Sequence, residues 1–236
     1  HDDIIDGSAF RRGRESALRK FGLAETLVAG DVLFGRAYDL CARFEERLIQ
    51  WAVQACISLT EGEIMQGRFR RNPAVTLADY LEVVHRKTAS LFEAGGRTAA
   101  YLAGADGEIV EAVARAGHHV GMTFQMIDDV LDVTGVESQT GKPVGIDLRD
   151  GSPSLPIVLT IQHDAQVRDM FQKPPLTEEE ADLVLDRLRR SPAVAEARRL
   201  ADEHAQQARV ALTTLPDSPH RESLLSLVDQ LVERVS

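Results

Sequence analysis

The chain has 236 residues, with 27 Lys and Arg against 37 Asp and Glu, a formal net charge of −10; it is 44% hydrophobic and 27% charged. That composition supplies enough apolar surface to offset chain entropy, which excludes disorder, collagen-like repeats and rods. The acidic balance excludes a broad nucleic-acid footprint, and no run of about 18 uncharged apolar residues offers a membrane span, since Leu23 to Phe34 is broken by Glu25 and Asp31.

The chain opens on His1-Asp2-Asp3 with no initiator Met, which reads as a truncation. Asp2-Asp3-Ile4-Ile5-Asp6 has the form DDxxD, and on a helix Asp2 and Asp6 share a face. Arg11-Arg12 follows five and six positions after Asp6, and arginine is a planar, multidentate donor to phosphate. From Leu27 to Val53 apolar residues recur at three- and four-residue steps, which predicts one long helical segment. Cys41 and Cys56 lie in helical-looking sequence; neither their number nor their spacing makes a disulfide scaffold or a zinc site, so a reducing cytoplasm is the expected setting.

The next helical stretch, Leu77 to Leu102, opens on Thr76 with Asp79 as an N-terminal cap pair. It carries Lys87-Thr88, where Val84, Thr88 and Leu91 repeat at a core-facing spacing. A lysine beside such a face either snorkels or meets an anion. The helix from Glu108 to Thr134 ends in a second DDxxD, Asp128-Asp129-Val130-Leu131-Asp132, preceded by Met122-Thr123-Phe124-Gln125-Met126-Ile127. Gly135 to Pro156 reads as a functional loop, with Lys142 between Gly141 and Pro143. Helices are predicted at Pro156 to Gln162, Thr177 to Arg190, Ala193 to Leu215 and His220 to Val235, the second opened by Thr177 with Glu180 and the third by Ser191-Pro192. His118-His119 and His163 read as core or surface histidines, because no Cys or His partner lies at a recognisable spacing. No repeat and no linker appears, so one all-helical domain over residues 1–236, lacking its N-terminal part, is the expectation.

An isolated DDxxD is most simply a solvated acidic face. The second sits among apolar residues, so its carboxylates border a buried space and need cations. With only oxygen ligands on offer, Mg²⁺ is the natural ion, bound through carboxylates and substrate phosphates. Two such clusters facing each other would hold a diphosphate.

Together these stretches resemble the trans-polyprenyl diphosphate synthase family, of the all-helical isoprenoid synthase fold. The matching segments are His1 to Asp6 with Arg11-Arg12-Gly13, Phe21-Gly22, Ala29-Gly30-Asp31, Gly62-Glu63, Lys87-Thr88, Phe124 to Asp132, and Gly141-Lys142-Pro143-Val144-Gly145-Ile146-Asp147-Leu148. The resemblance implies an enzyme that condenses isopentenyl diphosphate with an allylic diphosphate. It implies Mg²⁺ on Asp2, Asp6 and Asp128, with Asp3, Asp129 and Asp132 contributing directly or through water. Arg11, Lys87 and Lys142 would hold the allylic diphosphate and Arg12 the isopentenyl diphosphate. The Thr88 and Gln125 oxygens would stabilise the allylic cation, Phe124 would pack near the isopentenyl site, and the enzyme would be a homodimer.

The chain departs from the family pattern in two places. The GGKxxRP-like stretch that usually precedes the first aspartate cluster is not found, and Ser152 stands where the family more often has Lys. Gly62-Glu63-Ile64-Met65-Gln66 is similar to the GExxQ pattern of synthases with longer products. Two alternatives accompany the reading: a subunit of a hetero-oligomeric synthase, and a class I terpene cyclase. Cyclases carry an NSE-type second metal motif where this chain has Asp128 to Asp132.

Overall fold

Apolar residues at helical spacing and well-formed caps make this chain helical nearly throughout, as the computed structural model of residues 1–7, 9–11, 13–135, 144–173 and 175–234 shows. It forms two compact units, His1–Ala52 and Val53–Ser236.

The first unit begins with the one-turn helix α1 (Asp2–Ile5) and a small hairpin, β1 (Phe10–Arg11) and β2 (Arg14–Glu15), paired Phe10 to Glu15 and Arg11 to Arg14. Gly13 turns the hairpin at φ +74°, a conformation open to glycine at little cost. Helix α2 (Ala17–Phe21) is capped by the Ser16 side chain, which accepts from Arg19 N–H. Helix α3 (Leu23–Cys41) follows, and α4 (Glu46–Phe69) runs on into the second unit. The long segment predicted over Leu27 to Val53 is therefore two helices. The chain breaks at residues 42–45, where Phe44 N–H bonds back to the Cys41 carbonyl.

In the second unit, α5 (Leu77–Val84) starts in a reciprocal cap: Thr76 N–H donates to Asp79 Oδ2 at 2.9 Å and Asp79 N–H to Thr76 Oγ1 at 3.1 Å. The predicted helix Leu77 to Leu102 is not uniform. Residues His85–Ala89 widen into a π turn, with Ser90 N–H donating five residues back to the His85 carbonyl, before α6 (Ser90–Leu102) resumes. Helix α7 (Gly107–Thr134) is the central rod of this unit. After it come α8 (Ile146–Asp150), α9 (Leu155–Ile161), α10 (Ala165–Gln172), α11 (Glu178–Arg190), α12 (Ala193–Leu212) and α13 (Pro219–Glu233). Helix α8 lies inside the predicted loop Gly135 to Pro156. Helix α10 was not foreseen; Asp164 starts it by accepting from Gln166 and Val167 N–H.

Small residues set how closely α7 packs. Ala197, Ala201, Ala205 and Ala208 form a fully buried stripe on α12, and small side chains along one helix face let axes approach to the short end of the usual range. Across from the π turn and α6, Gly117 and Gly121 do the same: a Cβ on Gly121 would lie 2.6 Å from Ala89 Cα. Met126, Ile127, Val130, Leu155, Ile161 and Phe171 fill the core beneath.

These contacts predict opposite outcomes at two glycines. Gly121→Val should lower stability by about 1–3 kcal/mol through overpacking. Gly95→Ala, on α6 where a Cβ meets nothing within 4 Å, should raise it by about 0.5–1 kcal/mol by removing backbone freedom from the unfolded chain. Urea midpoints at constant slope check both.

Candidate functional site

In the first unit, Asp2 opens α1 and Asp6 caps its end one turn later, with Asp6 N–H donating to the Asp2 carbonyl at 2.8 Å; both are exposed. Asp3 turns the other way. Its Oδ1 accepts from Arg11 Nε at 2.7 Å and its Oδ2 from Ala17 N–H at 3.0 Å. The Arg11 bond, ahead of that from Ala17, holds the Asp3 carboxyl below its ordinary range, and Asp3 raises Arg11 in return. Asp3 is thus a brace that positions Arg11 and the start of α2. Glycine in the Ala29-Gly30-Asp31 stretch has a steric reason: any Cβ on Gly30 would collide with the ring of His1. Arg12 lies outside the described residues.

The second unit builds its acidic cluster on the last turns of α7. Asp128 is half-exposed and pairs with Arg234 at 3.1 Å, and the Arg234 guanidinium lies 5.9 Å from the Phe124 ring centroid. Asp129 points inward and is buried. Its Oδ2 accepts from Tyr80 OH at 2.7 Å and from Leu155 N–H at 2.9 Å, and its Oδ1 from Gln125 Nε2 at 2.9 Å. Both oxygens are therefore engaged by protein donors, a buttressing geometry for a residue the sequence grouped with the metal ligands. Asp132 accepts from Ile146 N–H at 3.0 Å and Asp147 N–H at 3.2 Å, tying the end of α7 to the start of α8.

Asp147, from α8, completes a crowded acidic group that sequence spacing did not assign. Burial pushes Asp129 up to about 6 against the pull of its donors, burial raises Asp132, and burial together with Asp129 and Asp132 raises Asp147 well above the ordinary range. Lys87 is the cation that pulls Asp147 the other way. Carboxylates so placed demand positive charge.

Lys87 and Thr88 are presented by the π turn, a wide helical turn that frequently marks functional positions. Lys87 Nζ lies 2.9 Å from Glu63 Oε1 and 2.7 Å from Gln66 Oε1, both on α4. A Cβ on Gly62 would lie 2.7 Å from Lys87 N, so glycine there admits the π-turn backbone. The GExxQ stretch thus has a local purpose: its Gly gives access and its Glu and Gln hold the lysine. Thr88 Oγ1 donates to Gln125 Oε1 at 3.1 Å, and Phe124 packs on Phe92 with ring centroids 5.9 Å apart. Sequence reasoning missed Tyr80, Glu63 as a lysine partner, Asp147 and Arg234, whose partners lie on other helices. Lys142 lies outside the described residues.

Residues 1–188 match the family pattern described as polyprenyl synthetase. The octaprenyl diphosphate synthase of Haemophilus influenzae is 35% identical, over 99% of this chain and 73% of its own length. A polyprenyl synthase from Caulobacter crescentus, solved in complex with calcium and isoprenyl diphosphate, superposes with a TM-score of 0.93 at 32% identity, over 100% of this chain and 74% of that one. A geranylgeranyl pyrophosphate synthetase from Pyrococcus horikoshii gives 0.91 at 32% identity, covering 99% and 74%.

The Asp129 shift has a signed consequence. Its carboxyl titrates near 3.8 unfolded and near 6 folded, so between those values the folded chain holds more protons than the unfolded one. Its contribution is present below about pH 4 and is lost as pH rises through about 6. In Mg²⁺-free buffer the stability of the parent relative to Asp129→Asn should therefore fall between pH 4.5 and 7. A pH-independent difference in melting curves would contradict a buried, proton-holding Asp129.

Proposed function

The chain belongs to the polyprenyl synthetase family, and on that premise we propose how its residues carry out prenyl-chain elongation. It is a polyprenyl diphosphate synthase, a prenyltransferase that condenses isopentenyl diphosphate with an allylic diphosphate. The observation that carries the residue assignment is the acidic group of buried Asp129 with half-buried Asp132 and Asp147, and Lys87 in electrostatic reach, since it unites the DDVLD stretch, the GIDL stretch and the KT pair.

An all-oxygen donor set of like charge fits Mg²⁺. In the first unit Asp2 and Asp6 are the proposed ligands, with Asp3 behind them; in the second they are Asp128 and Asp132, with Asp129 behind. Bound Mg²⁺ supplies charge neutralisation to a leaving diphosphate. Lys87, Arg11 and Lys142 are the proposed cations for the allylic diphosphate, and Arg12 the proposed cation for isopentenyl diphosphate. Breaking the allylic C–O bond builds negative charge on the diphosphate, so fixed cations favour the transition state over the ground state.

The allylic cation faces the oxygens of Thr88 and Gln125, weak dipoles that favour it without trapping it, and Phe124 packs beside the isopentenyl chain. The isopentenyl double bond then supplies the electron pair of the new C–C bond to C1. A proton leaves the adjacent carbon to the departing diphosphate, restoring an allylic product five carbons longer. The two free cysteines, Cys41 and Cys56, favour a reducing compartment, the cytoplasm.

Assembly as a homodimer is supported by α3, whose Val28, Val32, Leu33 and Leu40 are all exposed, Leu33 by 70%. A contiguous apolar helix face of this kind is the usual mark of an interface.

Mass analysis of products from Mg²⁺, isopentenyl diphosphate and C5 to C20 allylic primers should show a ladder ending at one length. Cyclic hydrocarbons would instead support a cyclase, and no product from any primer a partner-dependent subunit. Lys87→Ala should lower kcat by roughly two to three orders of magnitude, the usual loss for one fixed charge-stabilising donor. Leu33→Glu should convert a dimer to a monomer in sedimentation equilibrium; an unchanged mass would place the interface elsewhere.

A further inference from the structure

Four histidines contributed by three elements converge along α7, more than two helical turns before its aspartates. His118 and His119 lie two turns before Gln125 on α7, His204 on α12 and His85 at the head of the π turn. His119 Nδ1 and His204 Nδ1 are 3.0 Å apart, and His85 Nδ1 and His118 Nδ1 are 3.3 Å apart. The rings of His118 and His119 meet edge to face with centroids 5.0 Å apart, and those of His119 and His204 are 5.2 Å apart. Candidate ligand atoms of His118, His119 and His204 all lie within 4.8 Å of one another, as do those of His85, Glu93 and His118.

We propose that His118, His119 and His204, with His85 and Glu93 at its edge, form a binding site for a divalent transition-metal ion of the Zn²⁺ class. Nitrogens sharing one tetrahedral zinc at ~2.0–2.1 Å stand ~3.3 Å apart, close to the 3.0 and 3.3 Å of the two Nδ1 pairs. Imidazole is a ligand for zinc, copper and nickel and a poor one for Mg²⁺, so this site and the aspartates select different ions. Two imidazoles facing each other Nδ1 to Nδ1 can share only one proton between them, and an ion replaces that compromise with two lone-pair bonds.

The surrounding charges permit it. Glu93 Oε2 lies 3.8 Å from His118 Nδ1 and supplies negative charge, although Arg97 also pairs with Glu93 at 2.9 Å, and Glu203 acts on His204. Burial, then neighbouring rings, holds His119 down to about 4 and lowers His118. These rings are therefore neutral, ligating imidazoles at pH 7. An ion here would clamp the π turn, α7 and α12 together, two residues from Lys87.

Chelator-treated protein titrated with Zn²⁺ in excess Mg²⁺, followed by calorimetry, should bind one equivalent, and its Tm should climb with Zn²⁺ concentration. His119→Gln and His204→Gln, each checked for parental helicity by circular dichroism, should weaken binding at least tenfold. Cu²⁺ as a probe should show nitrogen hyperfine structure in its electron paramagnetic resonance spectrum, a test on the unmutated chain that does not depend on any variant folding. Absence of zinc binding, unchanged affinity in both folded variants, or copper with oxygen ligands only would overturn the proposal.

Discussion

The arrangement of the second unit hangs on the burial of one carboxylate. A buried charge is costly unless hydrogen bonds surround it, and Asp129 draws its donors from three elements: Tyr80 of α5, Gln125 of α7 and the Leu155 N–H that opens α9. Satisfying Asp129 therefore fixes how α5 and α9 sit against α7. It also settles the Gln125 amide. An ionised carboxylate only accepts, so the Gln125 NH₂ must face Asp129 and its carbonyl oxygen must face Thr88. The orientation of the Gln125 oxygen is thus set by a side chain whose own oxygens are taken up by protein donors.

Charge is arranged in two tiers around this point. Lys87 is held by Glu63 and Gln66 on one side and acts on Asp147 on the other, so its ammonium is positioned before any anion arrives. Preorganised charge of this kind does not have to be reoriented during reaction, which is where electrostatic catalysis gains most. The crowded aspartates work in the opposite sense, raising one another's proton affinity until a cation relieves them. Lysine and aspartates together make a patch whose local balance changes sharply with what it binds.

Much of this was legible in residue order. Thr76 with Asp79 and Thr177 with Glu180 announce helix starts because the capping partners are three residues apart and local. The aspartate clusters, the KT pair and the downstream GxDL stretch could be read because each is short and contiguous. What escaped reading depends on distant partners. Asp129 and Asp128 are neighbours in one motif, yet successive helix positions differ by about 100°, and only packing reveals that one faces the core and the other Arg234. The helix Ile146–Asp150 was hidden by flanking Gly145 and Gly151, which read as loop but serve as its left-handed boundaries. The histidine convergence was invisible because its rings come from three elements separated by 33 and 85 positions.

The π turn makes the register of one helix depend on chain length. A π turn amounts to one residue inserted into an α-helix, and here the insertion sits between α5 and α6, which otherwise read as a single rod. Removing one residue there would restore regular α-geometry but swing everything downstream by about 100°, turning the seam of Ala89 away from Gly121. No set of side-chain exchanges could reproduce that rotation. The angular placement of Lys87 and Thr88 is therefore written as a change in chain length rather than in side-chain identity.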